Sequence, residues 1–312
     1  MKKTSRILIT GGSGMVGKAL INYFNQNKYT QIFYPNRKEL NLMNKTKVLN
    51  YIKKNKPEYV FAAAAFVGGI EANMNDPINF FYKNIEIQNN LINSCDTHDV
   101  NNLLFFGSSC IYPRLARQPI KEEEILSGFL EKTNEAYAIS KIAGLKYCEY
   151  LRTKKNRNYF TIMPTNLYGL NDNYNQNSSH VIPALISKIH KVKESKQKSL
   201  HLFGTGKALR EFLFVDDLAN ASVIAMKKNT KYSMINVGSG SEITIKNLAN
   251  LILKIANYKA KIIFDTKMPD GTPRKILDSS RIFKLGWSPK ISLDRGLKYV
   301  YDMYDNNISI RS

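Results

Sequence analysis

The chain has 312 residues, 43% of them hydrophobic and 23% charged, a globular composition long enough for one large domain or two joined ones. No stretch approaches the roughly 18 consecutive apolar residues of a membrane span. The three cysteines, an odd and sparse set, fit reduced thiols rather than a disulfide frame.

The formal net charge is +21, which raises the question of a nucleic-acid partner. The lysines are dispersed, however, and many stand beside asparagines, as in YIKKNKPEY and RTKKNRNY. No basic stripe interleaves with aromatics, so no nucleic-acid partner is expected, and the positive field suits an anionic small substrate. After Met1-Lys2-Lys3, Arg6 and Gly11-Gly12 interrupt the apolar run. A signal peptide needs about 7–15 continuous apolar residues, so a cytoplasmic protein without a membrane partner is expected. There is no CxxC pair and no HExxH, so no metal is expected.

In chain order, Arg6–Thr10 reads as a strand and Met15–Asn27 as a helix. Gln31–Tyr34 is a second strand, and Thr46–Asn55 is helical. Glu58–Ala63 is a third strand, followed by a long helix from Pro77 to about His98. Leu103–Phe106 is a fourth strand whose serine-rich exit reads as a loop. Glu135–Leu151 is helical, and Tyr159–Met163 is a fifth strand. Strands alternating with helices predict an α/β fold, a Rossmann-type doubly wound parallel sheet. The continuous apolar runs LLFF and YVFAAAA suit strands buried on both faces. Beyond PTNLYG the texture becomes polar, turn-rich and less regular. The expected division is residues 1–170 as a cofactor-binding Rossmann domain, completed by about 214–240, with 171–312 mainly a smaller α/β substrate domain.

ILITGGSGMVGKAL sets Gly11, Gly14 and Gly17 between a strand and a helix. Glycine allows the tight turn and lets backbone N–H groups approach a diphosphate, while the helix N-terminus adds partial positive charge. An NAD site usually carries an acid at the end of the second strand. Here Arg37 and Lys38 stand there, and a guanidinium suits a 2′-phosphate, so NADP(H) is favoured.

Tyr137 and Lys141 lie four apart in a predicted helix and share a face. An ammonium beside a phenol favours the phenolate, and the phenol can give a proton to a carbonyl oxygen as hydride arrives. Ser108, at the preceding strand end, can hydrogen-bond the same oxygen or simply cap a loop. Cys110, two residues on, reads equally as packing, as a redox device or as a proton-transfer group.

Taken together, GGSGMVGKAL, RKELNL, VGGIEAN, LLFFGSSCIYP, TNEAYAISKIAG, MPTNLYG, NSSHVIPAL, REFLFVDD, INVGSG and PDGTPRKILD resemble the extended short-chain dehydrogenase/reductase family. The resemblance runs nearly end to end. Within that family it is to the nucleotide-sugar branch and the GDP-L-fucose synthases, which are epimerase/reductases of GDP-4-keto-6-deoxymannose.

The resemblance implies Ser108, Tyr137 and Lys141 as a reductase triad and Cys110 with His180 as an epimerase pair. It implies NADP contacts at Gly11, Gly12, Ser13, Gly14, Met15, Val16 and Gly17, then at Arg37, Ala62, Ala63 and Ala64. Lys141, Pro164, Thr165, Asn166, Leu167 and His180 complete that set. Lys188, Phe203, Arg210 and Asp270 fall at positions for the substrate nucleotide. A GDP-linked 4-keto-6-deoxy sugar is the implied substrate and a homodimer the implied assembly. Four places depart from the family pattern. Phe66 replaces a lysine, Ala208-Leu209 a proline-containing pair, and Phe203 a tryptophan, while YGLND lacks a proline after its glycine. These lie near the expected substrate cleft, which makes a related sugar such as a heptose, with C4 reduction alone, the alternative.

Overall fold

A computed structural model describes residues 1–175, 179–268 and 270–306. Asn177 and Ser178 of the NSSHVIPAL segment and Pro269 of PDGTPRKILD lie outside the described residues. The first half runs β1 (Ile7–Thr10), α1 (Met15–Gln26), β2 (Ile32–Phe33), α2 (Lys45–Asn55), β3 (Tyr59–Ala62), α3 (Ile70–Asn75), α4 (Pro77–Thr97), β4 (Asn102–Phe106), α5 (Glu135–Lys155) and β5 (Asn158–Pro164). The second half runs β6 (Asn166–Tyr168), α6 (Val181–Glu194), β7 (Ser199–Phe203), β8 (Leu209–Phe214), α7 (Val215–Lys227), β9 (Met234–Val237), β10 (Glu242–Thr244), α8 (Ile245–Ile255), β11 (Lys261–Asp265), β12 (Arg274–Lys275), α9 (Ser280–Lys284) and α10 (Leu293–Asp305).

The fold is α/β and Rossmann-like. The main sheet has the order β2-β1-β3-β4-β5-β9, and every neighbouring pair is parallel. Its apolar strands serve two cores because side chains alternate across a sheet. Ile7, Ile9, Phe61, Leu104, Phe106, Phe160 and Ile162 join one core, on the side of α1 and α7. Leu8, Val60, Leu103, Phe105 and Tyr159 join the other, on the side of α2, α4 and α5. This is why those runs are continuous rather than alternating. The winding reverses between β1 and β3, which is where an open α/β sheet offers its ligand crevice.

A smaller sheet is built around β8, which pairs with β10, β12 and β6. β7 and β11 form a separate parallel pair. Together with α6, α8 and α10 these strands enclose their own core, including Leu185, Ile186, Leu202, Phe212, Leu248, Ile252 and Leu297. The chain nevertheless returns to the main sheet. α7 packs on α1, β9 adds the last strand, and Ile282 of α9 joins the first core.

The two sheets are joined at Glu211, a fully buried carboxylate on β8. It accepts from the Gly240 N–H at 2.7 Å and the Leu277 N–H at 3.0 Å. Its backbone carbonyl accepts from Thr165 Oγ1 at 3.1 Å and Asn166 Nδ2 at 2.8 Å. Burial pushes the Glu211 carboxyl up from the usual range, and the donated bonds oppose that.

Some elements differ from the sequence reading. α5 continues to Lys155 and stops where Asn156 turns left-handed. The exit of β4 is not a loop but a 3-10 turn, Ser109–Ile111, capped by Ser108. Asn166–Tyr168 leaves the main sheet and becomes β6 beside β8. α3 was not anticipated. It ends at Asp76, which caps α4 through Asn79 N and precedes Pro77 in the first turn. No helix among the described residues is long and apolar enough to cross a membrane.

The glycine loop is tightly specified. A Cβ at Gly17 would stand 2.1 Å from the Gly11 carbonyl oxygen, a backbone atom that cannot give way locally. Gly17→Ala is expected to cost about 1–3 kcal/mol of stability and to weaken dinucleotide binding. Urea unfolding and fluorescence titration with NADPH check both.

Candidate active site

The cofactor cradle forms at the β1/β3 crevice. Gly11 has φ 73°, and a Cβ there would meet the Ala63–Ala64 backbone at under 3 Å (2.8 Å to Ala64 Cα), so the loop needs glycine to approach the end of β3. Gly12, Ser13, Met15 and Val16 complete the turn into α1. Gly14 begins that helix with no side-chain cap and no acid in the first turn, leaving its leading N–H groups to an anion. Ala62 ends β3, and Ala63 and Ala64 line the same edge. Arg37 is exposed on the loop after β2. Its acidic neighbour Glu39 is engaged within that loop, accepting from Asn36 N at 2.8 Å. Pro164 ends β5, Thr165 and Asn166 bond the Glu211 carbonyl, and Leu167 lies in β6. These residues fit a dinucleotide with an extra phosphate.

At the end of β4 the structure brings Ser108, Tyr137 and Lys141 together. Lys141 is buried, and its Nζ donates to the Phe106 carbonyl at 2.8 Å. The ammonium lies 4.6 Å from the centre of the Phe105 ring and 5.8 Å from that of Tyr137. Burial lowers its pKa from the usual lysine range to about 7. Burial pushes the Tyr137 phenol well above its ordinary value, and Cys110 adds to the rise while a polar contact from Ser108 opposes it. Tyr137 is therefore protonated at neutral pH, as a proton donor must be.

Cys110 sits half-buried in the 3-10 turn, where its N–H donates to Ser108 Oγ at 3.2 Å. Burial alone would raise its thiol pKa. Lys275, Ser108 and Arg210 outweigh burial and hold the pKa below the usual thiol value. Lys275 Nζ is 3.5 Å from Cys110 Sγ. His180 precedes α6 and is exposed, with protein atoms crowding its ring. That crowding, with Lys275 second, holds its pKa below the ordinary imidazole value. Cys95 and Cys148 are buried core residues, and burial pushes their thiols far up.

The candidate nucleotide end lies beyond. Arg210 Nη2 donates to the Asp270 carbonyl at 3.2 Å, and its charge reaches Cys110 as well. The Asp270 carboxylate accepts from Thr205 N at 2.7 Å and Thr205 Oγ1 at 2.6 Å, which holds its pKa low. Lys188 Nζ stacks 4.7 Å over the Phe203 ring. Phe203 is 62% exposed.

Residues 7–238 match the NAD dependent epimerase/dehydratase family. The chain belongs to that family. It is 46% identical over 308 residues to "Putative GDP-L-fucose synthase 2" of Arabidopsis thaliana, covering 99% of this chain and 94% of the relative. It is 44% identical to "GDP-L-fucose synthase" of Escherichia coli (strain K12), covering 97% of each chain. The solved structure of a GDP-mannoheptose C4 reductase from Campylobacter jejuni with NADP bound superposes with a TM-score of 0.88 at 34% identity, over 97% of this chain and 99% of that one.

Within this member of the epimerase/dehydratase family, Phe66 rests at 4.7 Å on Phe80, whose ring lies 6.4 Å from Tyr137. The Lys83 ammonium lies 4.6 Å over the other partner of this pair, the Phe66 ring, so an aromatic pair topped by a cation stands beside the phenol. Sequence reasoning missed Lys275 and Thr205. Lys275 lies in PRKILD, but its partner is 165 residues away, and no local spacing announces the contact.

Lys141 has a testable signature. Between pH ~7 and ~10.4 the unfolded lysine keeps a proton that the folded one has lost, so stability rises with pH. Denaturant unfolding from pH 7 to 10 should show this rise in the wild type and a flatter dependence in Lys141→Met.

Proposed function

We propose that the chain catalyses the NADPH-dependent 3,5-epimerisation and 4-reduction of a GDP-4-keto-6-deoxy sugar, working in the cytoplasm as a homodimer. The observation that carries this reading is the meeting of Ser108, Tyr137 and Lys141 with Cys110 at the end of one strand. One carbonyl-binding position can then serve both proton transfer beside the carbonyl and reduction of it. The likeness to GDP-L-fucose synthases supports the substrate class, and the NADP-bound relative supports the cofactor.

In this reading the C4 carbonyl accepts hydrogen bonds from Tyr137 and Ser108. A C4 ketone acidifies the hydrogens at C3 and C5. The Cys110 thiolate removes one of them, and the electron pair moves onto the C4 oxygen, where the two hydroxyl donors stabilise it. His180, in its imidazolium form, returns a proton to the opposite face; it then takes a proton from water while Cys110 gives its own to water, which resets the pair. Repetition at the second carbon inverts both centres. Bound NADPH supplies hydride to C4, and Tyr137 transfers its proton to the C4 oxygen. Lys141 then supports the phenolate. Arg210 suits the diphosphate because its planar fork matches phosphate oxygens. Lys188, Phe203 and Asp270 complete the nucleotide end.

The homodimer rests on α4 and α5, which pack together and leave Ile78, Phe81, Tyr82, Ile139 and Tyr150 exposed. The likeness to a C4 reductase favours a second reading, C4 reduction of a related GDP-4-keto sugar without epimerisation.

Incubation with GDP-4-keto-6-deoxy hexoses and heptoses plus NADPH tests the substrate class, and proton NMR of the products separates the two readings. Tyr137→Phe is expected to lower NADPH oxidation by at least ~100-fold; near-normal turnover would remove Tyr137 from the mechanism. Cys110→Ser should suppress solvent deuterium entry at C3 and C5, and undiminished exchange at both carbons would exclude Cys110 as the base.

A further inference from the structure

We infer that Lys275 is a positioning residue for Cys110, its ammonium holding the cysteine as a thiolate from a strap that the fold fixes in place. The inference deepens the proposed function and rests on it for its catalytic consequence. The pairing itself can be measured without turnover.

The contact is close, with Nζ 3.5 Å from Sγ. Lys275 is half-buried, yet among the described residues no carboxylate lies within 4.0 Å of it. A half-buried ammonium without a carboxylate gains from an anion beside it, and a thiolate supplies one. The neighbouring cation, Arg274, is committed elsewhere. Its guanidinium makes three bonds of 2.8 to 3.1 Å to Glu242 on β10.

The strap is held on both edges and at its end. β12 pairs with β8 so that Lys275 stands beside Arg210. On the other side, Ile276 N donates to Gln118 Oε1 at 3.0 Å, and Gln118 Nε2 donates to the Arg274 carbonyl at 3.1 Å. Ile120 N donates to the Ile276 carbonyl at 2.8 Å. Leu277 N is fastened to the buried Glu211 carboxylate at 3.0 Å. With its backbone fixed from three directions, the lysine does not need to search for the thiol.

The charges facing Cys110 favour the same state. Lys275 on β12 and Arg210 on β8 both stabilise a thiolate. Tyr137 on α5 is held neutral by burial and so places no opposing anion there. Glu131, which lines the same small cleft as Cys110 and Lys275, is bound to Arg114 at 3.2 Å and attracts Arg210. His180 before α6 feels Lys275 as a like charge, which favours its neutral form. Lys275 thus raises the thiolate fraction of Cys110 and lowers the imidazolium fraction of His180.

The test is the pH profile of iodoacetamide alkylation at Cys110 in the full chain. Cys110→Ser defines the background, and the buried Cys95 and Cys148 contribute little to it. Lys275→Met is expected to slow alkylation at pH 7 by about tenfold and to move the profile to higher pH. Lys275→Arg, which keeps the charge, should restore most of the rate; circular dichroism confirms that both variants fold. Deuterium entry at C3 and C5 should fall with the thiolate fraction, through kcat rather than KM. An unmoved alkylation profile in Lys275→Met overturns the inference, as does a raised KM for the sugar nucleotide with an unmoved profile. If the profile moves but no GDP-4-keto sugar exchanges or is reduced, the Lys275–Cys110 pairing stands and the proposed function falls.

Discussion

The burial of Glu211 is the constraint on which the rest of the molecule turns. A carboxylate inside protein must be met by donors, or it becomes costly enough to forbid the fold. Glu211 finds them on segments far apart in the chain: the Gly240 amide beyond β9 and the Leu277 amide beyond β12. Its own carbonyl collects Thr165 and Asn166 as the chain leaves β5. Those bonds bring the main sheet, the small sheet and the 274–277 strap to one point. A Cβ at Gly238 would lie 2.4 Å from Glu211 Oε1, so even the neighbouring backbone is shaped around this carboxylate.

The Cys110–Lys275 contact lies next to that junction. Arg210 precedes Glu211 on β8, Lys275 stands two residues before Leu277, and Cys110 meets Lys275 across the gap. Enclosure drives the local titratable groups in different directions. Burial keeps the Tyr137 phenol protonated and lowers the Lys141 ammonium to about 7, because it always disfavours the charged form. Cys110 escapes the rule only because two cations and a hydroxyl outweigh burial. One region therefore offers a proton donor and a proton acceptor at the same pH, as the proposed reaction requires.

Much of this was legible in the residues. The glycine spacing after β1, the basic residue after β2 and the four-residue step from Tyr137 to Lys141 are local patterns whose geometry follows from the strand–turn–helix path. The continuous apolar runs foretold strands buried on both faces. The 3-10 turn after β4, the short α3 and the transfer of Asn166–Tyr168 to β6 were not legible. In each case the conformation depends on partners distant in sequence or on a cap, not on periodicity. β6 is a strand because β8 lies beside it.

The sequence by itself determined the doubly wound class, the glycine turn between β1 and α1 and which titratable groups the chain offers. Those depend on local sterics, on side-chain period and on the chemistry each residue type carries. Only the tertiary structure decided the charge states of those groups. A thiol pKa is set by the charges within a few ångströms of it, and for Cys110 the nearest is Lys275, 165 residues away. Chain separation hides such a pair, and packing around Glu211 brings it together.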